Sequence, residues 1–259
     1  MHVLERYDDS AQREEALLAL PKVAPPSLQE WPAETIELCD AVQRTFALWL
    51  AQDLPQSAAA PRAAVCCAPA SPHWPVHAQE RLLVRDAVPS RQAEFLAGRW
   101  CAHRALERVG AAVVVVGRGK LGQPLWPRGI TGSISHESQT AVVVAANAPT
   151  VAGLGVDLLD TRRHCDMQAL AWMVMHDDEM QAVPLAVRTN SHLQKVFCAK
   201  EAVVKAISAQ VGHYMDWRDI TVQLSAGNFE ARVRGHAWLV EGRWSQVAHY
   251  FVSFAVLHY

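Results

Sequence analysis

Residues 113 to 127, VVVVGRGKLGQPLWP, impose the sharpest limit on what this chain can become. Four consecutive valines read as a buried strand, and Gly117, Gly119 and Gly122 then spell G-x-G-x-x-G. In a dinucleotide-binding fold the last glycine opens a helix whose N-terminus meets a pyrophosphate. Pro124 and Pro127 follow within five residues of Gly122 and break any such helix. A doubly wound nucleotide fold, and with it a nicotinamide-dependent oxidoreductase, is therefore a poor reading. The stretch is a tight turn whose purpose the rest of the chain must explain.

The chain has 259 residues, enough for one large domain or two small ones, and 51% of them are hydrophobic against 19% charged. Such a composition buries a core and excludes a disordered chain. A net charge of -2 argues against broad electrostatic binding of nucleic acid or an anionic membrane, while leaving room for local basic clusters. The N-terminus, MHVLERYDDS, lacks an apolar signal core. The uncharged stretch from Thr140 to Val156 is interrupted by Asn147 and Pro149, so it reads as two strands around a turn and not as a membrane span. Six cysteines occur without a C-x-x-C pair, and Cys66 and Cys67 are adjacent, so neither a zinc site nor a disulfide framework is expected. These features fit a reduced, cytoplasmic protein.

Residues 1–75 are rich in Ala, Pro and Gln and read as an extension of unknown role, with a helix from Ala33 to Gln52 and a loop at PQSAAAPRAA. From Gln79 the pattern is regular. VPSRQAEFLAGRWCAHRALERVG has Ser90 as the expected N-cap, an apolar stripe through Phe95, Leu96, Ala102 and Leu106, and Gly110 as the stop. ITGSISHES, TAVVVAA and VAGLGVDLLD read as strands or strand and loop, and residues 160–190 as helix and loop. SHLQKVFCAKEAVVKAISAQVG is the clearest helix, with Ser191 and Gln194 as a capping box and Gly212 as its end. Strands follow around DITVQLS, FEARVRG and HYFVSFAVL. Helix followed by strands occurs twice, which predicts two α+β halves, residues 76–150 and 151–259, meeting near Ala148 to Gly153.

Taken singly, the chemical residues have ordinary explanations. Asp157 is an acid near a strand end, Glu201 and Lys205 form an i,i+4 pair on a helix, and His136 follows a serine after a glycine turn. Their order is more specific: Gly98-Arg99, Gln123-Pro124-Leu125-Trp126-Pro127, Gly132 to His136, Gly155-Val156-Asp157, then Phe197 to Ala206 with its K-E-x-x-x-K. Over residues 79 to 259 this order resembles the Sfp-type 4'-phosphopantetheinyl transferases, most closely the enterobactin-synthase component D subgroup.

The resemblance implies an α+β fold of two similar, pseudo-symmetric halves with the active site between them. It implies transfer of 4'-phosphopantetheine from coenzyme A to a serine of an acyl or peptidyl carrier protein, with release of 3',5'-ADP, in siderophore, peptide or polyketide synthesis. It makes Asp157 and Glu201 ligands of Mg²⁺, Glu201 or a metal-bound water the acceptor of the serine proton, and Lys205 a contact of the pyrophosphate. Ser135, His136 and Lys200 are expected at coenzyme A, and Arg91 and Arg99 at its 3'-phosphate, for which a guanidinium fork is suited. The Gly/Pro turn would border the coenzyme. A monomer is expected, since both halves lie in one chain.

Two departures stand out. The family commonly reads G-[IV]-D-x-E, but the second acid here is Leu159, and Asp160 points to the other strand face unless the strand bulges. Glu137, directly after His136, is the expected third metal ligand in its place. A lysine common in the coenzyme loop is replaced by Leu121, leaving Lys120 as the expected contact after a one-residue slip. These departures leave open an alternative, a degenerate member that binds coenzyme A or a carrier protein without catalysis.

Overall fold

The structure is a computed structural model, and it describes residues 26–53, 62–147, 151–162 and 166–259. The N-terminal decapeptide and much of the PQSAAAPRAA stretch lie outside the described residues. The elements in chain order are α1 (Ala33–Asp53), β1 (Arg62–Pro69), α2 (Ala78–Leu82), α3 (Pro89–Arg108), β2 (Gly117–Arg118), β3 (Pro124–Leu125), β4 (Thr131–Glu137), β5 (Thr140–Asn147) and β6 (Val151–Asp160). They continue with α4 (Met167–Val174), α5 (Asp177–Ala182), α6 (Asn190–Val211), β7 (Ile220–Leu224), β8 (Asn228–Val233), β9 (Leu239–Val247) and β10 (Tyr250–His258).

One antiparallel sheet has the order β1-β5-β4, and a second has the order β6-β10-β9-β8-β7. The two repeat one topology. A strand (β1 or β6) precedes a long helix (α3 or α6), and a later hairpin (β4-β5 or β9-β10) returns so that its second strand pairs with the first. The second half adds the β7-β8 hairpin at its outer edge. The expected pair of similar α+β halves is therefore present, and the first half takes β1 from the segment set apart as an extension.

Each half buries its helix through a distinct core. Leu96, Cys101, Ala102 and Leu106 of α3 pack on Ala64 and Cys66 of β1 and on Val143 of β5. Ala199, Ala202, Val203 and Ile207 of α6 pack on Val222, Ala231 and Leu257. Glycine lets α6 lie close to β6: a Cβ on Gly155 would strike the carbonyl oxygen of Ala202, and one on Gly153 that of Ala206. A third core spans both sheets. Leu38, Val42 and Phe46 of α1 cover Val65, Val142, Val156 and Phe254, so α1 joins the halves across their common face.

Local signals differ from expectation in instructive ways. The helix α3 starts at Pro89 with Val88 as its N-cap, because proline at the first helical position already has the required φ and lacks a donor to satisfy. Thr189, not Ser191, caps α6, its hydroxyl accepting from the His192 N–H, and Gly212 ends that helix in the left-handed region at φ 70°. Val113 to Val116 form no strand. They find no pairing edge, and the Val116 N–H is taken by the Glu80 carboxylate at 2.8 Å. Among the described residues no helix is long and apolar enough to cross a membrane.

Candidate active site

The site is built where β4 meets β6. The Ser135 hydroxyl donates to Asp157 Oδ1 (3.0 Å) and accepts from the Leu158 N–H (3.2 Å) and from Lys205 Nζ (3.1 Å). A hydroxyl has one donor and two lone pairs, so its capacity is used up. Ser135 was expected to contact coenzyme A. In the structure it is the joint that fastens the first half to the second. The β4-β5 turn adds a second fastening, with Ser138 Oγ donating to Asp160 Oδ2 at 2.7 Å.

Lys205 also donates to Asp157 Oδ1 (2.6 Å) and to the Val156 carbonyl (3.1 Å). One helical turn earlier, Glu201 stands beside the same pair. Burial raises the Glu201 carboxyl above its ordinary pKa, and the neighbouring Asp157 charge raises it further, against the pull of Lys205 and a hydrogen bond from Trp217. Asp157, Glu201 and Lys205 thus form one electrostatic unit. The register of β6 on β10 is unbroken from Asp160 to Gly153, so no bulge turns Asp160 toward Asp157. Asp160 instead binds Arg162. Burial pushes its carboxyl up, but the Arg162 and Ser138 hydrogen bonds outweigh this and hold it well below the usual carboxylate range.

Glu137, expected as a third metal ligand, ends β4 opposite Thr140. Among the described residues no three His, Cys, Asp or Glu side chains form a group fit for a metal ion, so Asp157, Glu201 and Glu137 are not gathered as a trio. The two carboxylates that remain suit Mg²⁺, which commonly takes one or two protein carboxylates and completes its shell with water and phosphate oxygens. The ammonium of Lys205 on Asp157 shows that the position favours positive charge.

Glu201 and Lys205 face a cleft of about 840 Å³, within the range of sites that hold a small ligand or cofactor. The Gly/Pro turn (Leu121, Gly122, Trp126) forms one wall, and Val151, Met215 and Trp217 belong to the opposite half. Gly122, the last of the glycine triplet, is therefore part of a cleft wall. Lys120 is exposed on the same turn.

Behind that turn lies a basic cluster. Arg99, 4% exposed, donates to the Gly117 carbonyl at 3.1 Å and stacks on the Phe95 ring. Its Nε is buried and has no hydrogen-bond partner. Burial lowers the Arg99 pKa to about 10, and the positive charges of Arg118 and Arg91 add to the effect despite Glu80. Arg91 contacts the imidazole of His136, whose Nδ1 lies 3.2 Å from Glu94 Oε2. An orphaned buried donor among several cations is a fit place for an anion. Glu94 was not foreseen, because nothing in its sequence neighbourhood marks it as a partner of His136.

Burial lowers the His136 pKa to about 4, helped by the charges of Arg91 and Lys205. The unfolded chain takes up this proton near pH 6.5, the folded chain only near 4. Stability is thus unaffected by this group above pH 6.5 and falls as the pH drops through that window. Thermal melts of His136→Asn should show a weaker decline than the wild type below pH 6.5. Parallel declines would contradict the assignment.

Lys200 also departs from expectation. It is fully buried, ion-paired with Glu179, and donates to the carbonyls of Val174 (2.7 Å) and Trp217 (3.2 Å). Its three protons are committed inside the protein, so it does not reach coenzyme A. It is a brace for Trp217 and α6. Glu179 also accepts from the Val222 N–H (3.0 Å). The first half has the same device: Glu80 binds His103 (2.9 Å) and the Val116 N–H.

A family model described as the 4'-phosphopantetheinyl transferase N-terminal domain matches residues 79–146, and one for the 4'-phosphopantetheinyl transferase superfamily matches residues 153–253. The chain is 32% identical over 179 residues to the 4'-phosphopantetheinyl transferase Svp of Streptomyces mobaraensis, covering 68% of this chain and 73% of that protein. The chain belongs to the 4'-phosphopantetheinyl transferase superfamily. Its likeness to enterobactin synthase component D of Salmonella typhimurium (strain LT2) is higher but shorter, 38% over 135 residues, spanning 49% of this chain and about half (53%) of that protein. The 4'-phosphopantetheinyl transferase Npt of Nocardia iowensis is 27% identical over 159 residues, covering 60% of this chain and 70% of its own. The two family models meet across the β5-β6 junction, and the site lies on both sides of it.

Proposed function

We propose that this superfamily member transfers 4'-phosphopantetheine from coenzyme A to a serine of an acyl or peptidyl carrier protein, releasing 3',5'-ADP. We further propose that it does so with Mg²⁺, as a monomer in the cytoplasm, in siderophore, peptide or polyketide synthesis. The observation that carries the reading is the Asp157-Lys205-Glu201 unit facing a cleft whose far wall is the Gly/Pro turn.

Arg99, Arg91 and His136 would receive the 3'-phosphate end of the coenzyme, since a phosphate oxygen satisfies the orphaned Arg99 Nε. Asp157 and Glu201 would hold Mg²⁺, which when bound offsets the charge of the pyrophosphate. Lys205, on the cleft side of Asp157, is placed to exchange that partner for a phosphate oxygen and to stabilise the charge growing on the leaving group. Glu201, which lines the cleft beside Lys205, is placed to take the proton of the attacking serine, directly or through a water. The serine oxygen bonds to the β-phosphorus as the anhydride bond to the departing 3',5'-ADP breaks.

Chromatography of a reaction holding coenzyme A, Mg²⁺ and an apo carrier tests this. Release of 3',5'-ADP is expected, requiring Mg²⁺ and absent with a Ser→Ala carrier. Coenzyme A binding without release, across several carriers, would favour a binding-only member and contradict the proposal.

A further inference from the structure

The basic cluster behind the Gly/Pro turn includes two carboxylates of different standing. Glu80 is fully buried and accepts from the His77 N–H (3.0 Å), the Val116 N–H (2.8 Å) and the His103 imidazole (2.9 Å). It belongs to the framework. Glu94 does not: its side chain is 24% exposed, and its partners Arg91 and His136 are 42% and 30% exposed. Its Oε2 lies 3.2 Å from His136 Nδ1 and 3.6 Å from Arg91 Nη1, one helical turn back on α3. One turn further on, Gly98 brings α3 hard against β4, where a Cβ would strike Ile134 Cγ2 at 2.9 Å. The close approach keeps the Glu94 carboxylate at the ring of His136.

These contacts fix the imidazole. A carboxylate only accepts, so the ring proton faces Glu94 from Nδ1, and Nε2 is left to accept from Arg91. Arg91, His136 and Glu94 therefore make a set without net charge, at a place assigned to a phosphate dianion.

We infer that Glu94 is a standing competitor of the coenzyme's 3'-phosphate, a carboxylate that holds the same two partners and so caps the affinity of every ligand carrying that phosphate. The inference rests on the proposed function, which assigns Arg91, Arg99 and His136 to the 3'-phosphate. Both the substrate and the product 3',5'-ADP carry that group, so a contact to it holds the two alike and does nothing for the chemical step. The buried Arg99, with its orphaned Nε, supplies recognition of the phosphate. Glu94 offsets the added charge of Arg91, which would otherwise retain the product.

Titration calorimetry of the full chain in Mg²⁺ buffer, with coenzyme A, 3',5'-ADP and 3'-dephospho-coenzyme A as ligands, tests this. Glutamine at position 94 keeps an oxygen for the Nδ1–H and removes the charge. Glu94→Gln should bind coenzyme A and 3',5'-ADP about tenfold more tightly than the wild type, the scale for removing one carboxylate that faces a phosphate in a half-solvated site. The gain should shrink as salt is raised, and 3'-dephospho-coenzyme A should bind both proteins equally. Glu94→Asp, which keeps the charge but draws it back from the ring, should stay close to the wild type. Unchanged or weaker binding of 3',5'-ADP by Glu94→Gln, an equal gain for the dephospho-coenzyme, or weakened binding by Glu94→Asp would overturn the inference and leave the proposed function standing. A wild type that binds none of the three ligands would contradict the proposed function itself, and the inference with it.

Discussion

Glu201→Gln should lower the rate of phosphopantetheine transfer by about 10²- to 10⁴-fold, the range for loss of a positioned proton acceptor. The substitution keeps the shape of the side chain and its hydrogen bond to Trp217, so the melting temperature should change little. At limiting Mg²⁺ the wild-type rate should rise with pH, because burial and the Asp157 charge hold on the metal-free Glu201 carboxyl a proton that Mg²⁺ must displace. The rising limb should vanish in the variant. Single-turnover rates across acidic pH check both points. A variant that keeps the limb would assign that proton to another group.

Lys200→Ala should be the most damaging substitution to stability. It leaves Glu179 buried without its cation, and breaking one side of a buried pair costs about 3–5 kcal/mol. For a domain of this size that is a fall in melting temperature on the order of 10 °C. Lys200→Met with Glu179→Gln should recover most of the loss, since the glutamine oxygen can still accept from the Val222 N–H while no charge is left unpaired. Coenzyme A affinity of folded Lys200→Ala should stay close to that of the wild type. A large loss of affinity with unchanged stability would restore Lys200 as a coenzyme contact.

The helices α3 and α6 and the strands β4, β5 and β6 are legible in the chain because their signals are local: apolar period, glycine stops, and a polar break at Asn147. Two strand readings fail for the opposite reason, that a strand needs an edge. Val113 to Val116 have strand composition but meet the Glu80 carboxylate instead of a neighbour. Residues 62–69 follow an Ala/Pro-rich run that looks like loop, yet β5 pairs with them along their whole length. β9 escapes notice because its second inward position is Gly242, flanked by Glu241 and Arg243, so no apolar alternation shows there.

The site divides in the same way. The motif order picks out Asp157, Glu201 and Lys205, and the structure brings them together. It also picks out Ser135 and Lys200, but residue identity cannot say which partner a side chain faces. Ser135 spends its hydroxyl on the joint between β4 and β6, and Lys200 spends its charge on Glu179. The partner carboxylates Glu80, Glu94 and Glu179 carry no motif, and only tertiary packing reveals them.

The most direct test of the account is the intact mass of an apo carrier protein incubated with coenzyme A, Mg²⁺ and either the wild-type chain or Glu201→Gln. The account predicts that the wild type adds one phosphopantetheine to the carrier, and that the variant, still folded and still binding coenzyme A, leaves it unmodified over the same interval. Equal modification by both, or none by a wild type that binds coenzyme A, would contradict it.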